Sequence, residues 1–166
     1  MTSPRAASWA FREEDSGRIR TVLTDFLRDA SARTALLVDR AGQMLVTAGE
    51  TPTFDPTAFA SLTAADFSAN DQLARLLGEP EFGTLFHQGE KESLYLADIA
   101  RRVILVVLFD NRTTLGLVKL RMKPAVHELT ALFTAIFERD AGADTGRVGT
   151  DFVDDAEDEL DKLFGS

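Results

Sequence analysis

Arg102-Val103-Ile104-Leu105-Val106-Val107-Leu108-Phe109 is the stretch on which the fold turns. Its apolar run is rich in β-branched residues and far shorter than the ~20 residues that cross a bilayer. It does not alternate between apolar and polar types, as a strand with one wet face would. A strand apolar on both sides belongs in the middle of a sheet that is covered on both faces. Upstream, Leu94 to Ile99 and Thr84 to His87 are also β-prone. A tight connection near Ala100 and the turn Gln88-Gly89-Glu90-Lys91 join the three into a meander. Further upstream, Thr34 to Val38 and Gln43 to Thr47 flank Asp39-Arg40-Ala41-Gly42, which has the chemistry of a hairpin turn.

Helical periods surround these strands. Ser16 is placed to cap a helix with Ile19, Val22, Leu23, Phe26 and Leu27 on one side, running to about Ala30. Gly49 to Pro56 reads as a loop, and a second helix follows, ended by Gly78 and Pro80. On that helix Leu62, Ala65, Ala69, Leu73 and Leu76 are expected to face the sheet, with Leu77 following them. Ala64, Ser68, Asp71, Gln72 and Arg75 then fall on the opposite face. From Thr113 to about Glu138 one further helix is expected, bent at Pro124, where the ring removes a hydrogen bond to Leu120. The order is helix, two strands, helix, three strands, helix: an α/β chain whose five-stranded antiparallel sheet has helices on both faces. Residues 1–15 read as a flexible arm with Trp9 and Phe11 as candidate docking points, 16–139 as the domain, 140–150 as a linker, and 151–166 as an acidic amphipathic tail helix.

The 166 residues are 45% hydrophobic, enough for one domain with its own core. Lys and Arg number 18 against 27 Asp and Glu, and a net charge of −9 repels nucleic acid and anionic membranes. Absence of cysteine removes disulfides and thiol chemistry, and Met1 to Ala10 has no apolar signal-like core, so the expected location is the cytoplasm. No G-x-x-x-x-G-K-[ST] or G-x-S-x-G run occurs. His87 and His127 stand far apart without a carboxylate cluster at ligand spacing and read as surface residues. Neither catalytic, cofactor-binding nor metal-binding residues are therefore expected. Arg101 and Arg102 read as a solvated hairpin tip, and Arg112 as a group that orders the corner after the last strand through hydrogen bonds to backbone.

Three segments resemble the MglB family of roadblock (dynein light chain) proteins, which serve bacterial polarity and gliding motility. They are Leu37-Val38-Asp39 with Gly42-Gln43, Ala60-Ser61-Leu62-Thr63-Ala64, and Ser93-Leu94-Tyr95 through Phe109-Asp110-Asn111-Arg112-Thr113-Thr114-Leu115-Gly116-Leu117-Val118. The acidic end, Asp158 to Phe164, is similar as well. This resemblance implies the roadblock fold and a cytoplasmic homodimer, with third-strand edges paired and second helices side by side. It also implies a Ras-like small GTPase of the MglA type docked across the helix pair. By the same resemblance the roadblock protein, as activator, supplies no arginine finger and stimulates hydrolysis by positioning the GTPase's own switch residues. Ala64, Ser68, Asp71, Gln72 and Arg75 become the GTPase-interface candidates. Phe152, Leu160, Leu163 and Phe164 are candidates for docking of the tail, on a partner groove or on the chain's own domain, with a disordered tail as the third outcome. A dimeric scaffold without effect on nucleotide hydrolysis stays open beside the GTPase-activating role.

Overall fold

The computed structural model of the chain describes residues 12–148. They group into two units, one of residues 12–133 and one whose described part is residues 134–148. The sheet belongs to the first.

Helix α1 spans Glu13–Ala30. It starts ahead of the expected cap, because Glu13, Glu14 and Asp15 put negative charge at the helix's positive end, and Asp15 accepts a hydrogen bond from the Arg12 N–H at 3.2 Å. Ser16 is thus inside the helix, its N–H donating to Arg12 O at 3.0 Å. Strands β1 (Thr34–Asp39) and β2 (Met44–Gly49) follow, then α2 (Pro56–Leu76), β3 (Thr84–Gln88), β4 (Ser93–Ile99), β5 (Val103–Phe109) and α3 (Leu115–Val148). All strands pair antiparallel in the order β2-β1-β5-β4-β3. The central position expected for β5 is observed, and all seven of its residues are buried.

One face of the sheet presents Leu36, Val38, Leu96, Ile104, Val106 and Leu108 to Ala60 and Phe67 of α2. The alternate residues, among them Leu37, Tyr95, Ala97, Leu105 and Val107, lie on the face where α1 buries Ile19, Leu23 and Phe26 and α3 buries Val118, Met122, Leu129 and Phe133.

The rotation of α2 corrects the expectation. Ala60, Thr63, Phe67, Asn70 and Ala74 face inward, while Leu62, Ala65, Ala69, Leu73 and Leu76 point away from the sheet. Small residues at the inward positions let the helix lie close, and Phe67 fills the space between helix and strands with one large side chain. Asn70 anchors the same face by donating from Nδ2 to Phe82 O at 3.2 Å. Two apolar stripes compete on this helix, and the one that packs at higher density wins over the richer in leucine.

Helix α3 also departs from expectation at its end, since residues 140–148 continue it where a linker was read. In this second unit Arg139 Nε lies 3.6 Å from Asp140 Oδ1. Pro124 is inside the helix without ending it. The carbonyl it deprives of a donor belongs to Leu120, a residue on the exposed side of the helix. Thr114 caps the start, its Oγ1 accepting from the Leu117 N–H at 3.2 Å.

Gly49, at the end of β2, has φ +91°, and a Cβ there would lie 2.3 Å from Arg33 O and 2.8 Å from Leu27 Cδ1. Both the left-handed backbone and the close approach exclude a side chain. Gly49→Ala is expected to cost at least ~2 kcal/mol of stability in denaturant unfolding; unchanged stability would show that the β2 end is not held as described.

Candidate partner-binding site

Asp55 starts α2 by accepting from the Thr57 N–H at 3.1 Å, with Pro56 at the first helical position. From there the helix crosses the sheet and divides the surface beside it into a crest and two flanks. The crest is apolar: Leu62 is 70% exposed, Leu73 56%, Leu76 83% and Leu77, just past the helix, 71%, with Ala65 and Ala69 exposed between them. Large hydrophobics concentrated on one exposed helix face mark a contact surface.

One flank meets β3, the outermost strand on its side of the sheet. His87 Nε2 lies 2.5 Å from Asp66 Oδ2, tying the strand to the helix, and the bond from Asn70 to Phe82 secures the approach to β3. Beyond β3 the hydrogen-bonding edge has no further strand among the described residues.

The other flank meets the β1–β2 turn and the β4–β5 hairpin tip. Arg40 Nη1 donates to Asp71 Oδ2 of α2 at 2.6 Å, its Nη2 bonds Asp98 Oδ1 of β4, and its guanidinium carbon sits 4.6 Å from the centre of the Phe67 ring. Partial burial of Arg40 opposes its charge, yet the bonds to Asp98 and Asp71 outweigh this and hold its pKa above the ordinary value. Asp98 also accepts from the Arg101 N–H at 3.1 Å. Asp39, itself buried, accepts from the Ala41 and Gln43 N–H groups at 3.0 and 2.9 Å, shaping the turn that carries Arg40.

The residues singled out from the sequence lie on this second flank, not on the crest opposite the core. Ala64 and Asp71 are half-buried, and Ser68, Gln72 and Arg75 are exposed. Asp71 is engaged by Arg40. The crest leucines were misassigned because leucine content was weighed above fit; the spacing of Ala60, Thr63, Phe67, Asn70 and Ala74, with phenylalanine in the middle, was the available signal. Arg40 was read only as a turn residue, and nothing local to it reveals partners 31 and 58 positions away. Phe152, Leu160, Leu163 and Phe164, like Trp9 and Phe11, lie outside the described residues.

At the opposite end of the strands, Arg33 pairs with Glu50 at 2.7 Å and with Glu92, and Arg112 pairs with Asp110 at 3.0 Å and Glu50 at 3.3 Å. The ordering role expected of Arg112 thus runs through carboxylates and not through backbone carbonyls. The side-chain hydrogen bond from Arg33 holds Glu50 below the usual carboxylate range, and that from Arg112 does the same for Asp110. No group of three or more His, Cys, Asp or Glu side chains able to hold a metal occurs among the described residues. No described helix is long and apolar enough to cross a membrane.

This arrangement of sheet, crossing helix and open edge defines a small α/β interaction module. The chain belongs to the Roadblock/LC7 family, whose model matches residues 18–109. Among solved structures it is similar to Myxococcus xanthus MglB, with 48% identity over 71% of this chain and 96% of that one, and a TM-score of 0.68. It is also similar to the gliding protein MglB of Thermus thermophilus, with 35% identity, 76% and 96% coverage, and a TM-score of 0.71. A further MglB structure, described as having a tetrameric arrangement, matches with the same identity, coverage and TM-score. No curated protein sequence matches significantly.

Glu50 and Asp110 have depressed pKa values in the folded chain, so they add stability above the ordinary carboxylate pKa of about 4, and this is lost as pH falls through their lower folded values. Arg112→Gln removes the leading cause of the Asp110 shift. Its melting temperature should fall less than that of the wild type on acidification from about pH 5 to pH 2; parallel acid limbs would refute the pairing.

Proposed function

We propose that the chain is a cytoplasmic homodimeric regulator that binds a small Ras-like GTPase of the MglA type and stimulates its GTP hydrolysis. It does so without a catalytic site of its own, by positioning the GTPase's switch residues, in a system of cell polarity or gliding motility. The observation that carries this reading is the exposed leucine crest of α2 beside an open β3 edge, in a chain 48% identical to an MglB. In the dimer the β3 edges pair and continue the sheet, and the α2 crests lie side by side. Each leucine so buried contributes ~1.5–3 kcal/mol before the costs of association are met.

The GTPase docks across the helix pair, with Ala64, Ser68, Asp71, Gln72 and Arg75 as the candidate contact flank. Asp71 acts there through Arg40, since that pair fixes the helix against the turn. The acidic segment 151–166 is proposed to act as a tethered second contact through Phe152, Leu160, Leu163 and Phe164.

Light scattering of the purified chain at micromolar concentration should give a dimer. Leu73→Asp should yield folded monomers, since the position is exposed in the protomer, with a melting temperature below that of the dimer and independent of protein concentration. Ser68→Arg should remain dimeric and lose GTPase binding. Single-turnover hydrolysis by an MglA-type GTPase should accelerate with the wild type alone; tight binding without acceleration would favour a scaffold, and a monomeric wild type would sink the dimer model.

Removal of residues 152–166 tests the tail separately. The truncated chain should bind the GTPase more weakly at an unchanged melting temperature. A lowered melting temperature with full affinity would place the tail on its own domain instead.

A further inference from the structure

The β4–β5 turn is closed by the Arg102 N–H donating to Ile99 O at 3.2 Å, and its central residues, Ala100 and Arg101, have φ +51° and +63°. Two consecutive left-handed positions in a two-residue hairpin loop favour Asn-Gly, and a side chain there is disfavoured at each. This chain nonetheless places alanine and arginine in them. Asp98 holds the conformation by accepting from the Arg101 N–H, and Asp98 is fixed in turn by Arg40, which also grips Asp71 of α2. The tip is therefore bolted to the flank of α2 on which Ser68 and Arg75 lie.

Charge on this flank runs against the chain as a whole. The net charge is −9, yet Arg75 of α2 and Arg101 and Arg102 of the tip are exposed cations. The acidic groups beside them, Asp39, Asp71 and Asp98, are buried or half-buried and already accept hydrogen bonds. A strained, rigidly held turn that presents a guanidinium points to contact with another molecule more than to folding, for which glycine would serve better.

We infer that the β4–β5 tip extends the α2 contact flank, and that Arg101 engages a carboxylate on the surface of the bound GTPase. This rests on the GTPase-binding function proposed above and adds to it a second contact element with a stated chemistry. The planar guanidinium suits a carboxylate in paired hydrogen bonds, and the fixed backbone spares the ordering that a flexible tip would require. Arg101 touches no reacting atom; it sets docking.

Arg101→Gly gives a sharp test, because glycine adopts the left-handed turn without strain and the fold should be kept. With a purified MglA-type GTPase loaded with a non-hydrolysable GTP analogue, the variant dimer should melt at the wild-type temperature or above. It should bind roughly tenfold more weakly at low salt, the worth of one charge-assisted hydrogen bond. The difference should shrink at high salt. Ala100→Gly, which relieves strain in the same turn but keeps Arg101, should bind as the wild type does. Equal affinity of Arg101→Gly and wild type overturns this inference alone, as does equal weakening by both glycine variants, which would assign the effect to backbone conformation. A wild-type dimer that does not bind the GTPase overturns the proposed function and this inference with it.

Discussion

Phe67 is the contact on which the arrangement of this protein depends. Wholly buried, it enters the cluster formed by Leu36, Val38, Leu96, Ile104 and Val106, and so fixes how α2 is rotated on the sheet. Arg40 lies over the same ring, so one side chain seats the helix in the core and also supports the ion network at the ends of the strands. With Phe67 inward, the leucines of α2 have nowhere to go but out. Their exposure follows from packing: a single helix face cannot bury both stripes, and the stripe carrying phenylalanine among small residues fills the available volume.

Arginine serves throughout as a tie between elements distant in sequence. Arg40 joins the first turn, the second helix and the fourth strand; Arg33 and Arg112 join the loops around Glu50, Glu92 and Asp110. A planar group with several donors suits this, since it satisfies two carboxylates at once where lysine offers a point charge. The two networks lie at opposite ends of the strands and differ in exposure. Asp98 is 14% exposed at its side chain, whereas Arg112 is 56% exposed and screened by solvent. The first is therefore the stiffer device, and it is the one that backs the α2 flank.

The strands and the central place of β5 were legible because they rest on short-range signals. Unbroken apolarity placed Val103–Phe109 at the centre, and turn residues marked the β1–β2 and β3–β4 hairpins. Element ends were less so: the acids of the first turn of α1 outweighed the Ser16 cap, and the helical run through residue 148 overrode the glycine- and aspartate-rich composition from which a linker was read. The candidate site is offered by the sequence as an element, α2, and not as a face. That α2 is the informative helix followed from its composition and from the family resemblance. Which side it shows depends on how Phe67 and Asn70 meet residues far along the chain, and periodicity alone assigns two stripes with equal right.

A regulator without catalytic groups can raise a partner's rate only by holding it in a reactive geometry, and the holding surface must itself be rigid, or binding free energy is spent in ordering it. The proposed contact flank meets that condition through a chain of constraints. Asp39 shapes the turn that carries Arg40; Arg40 fixes Asp71 on the helix and Asp98 on the strand; Asp98 holds the Arg101 backbone. On the far side of the same helix, the leucine crest and the β3 edge are suited to a second copy of the chain. In the proposed function the two sides of α2 divide the work by what lies beside each: an open strand edge suited to an identical edge, and a braced β4–β5 tip that offers Arg101 to a different partner.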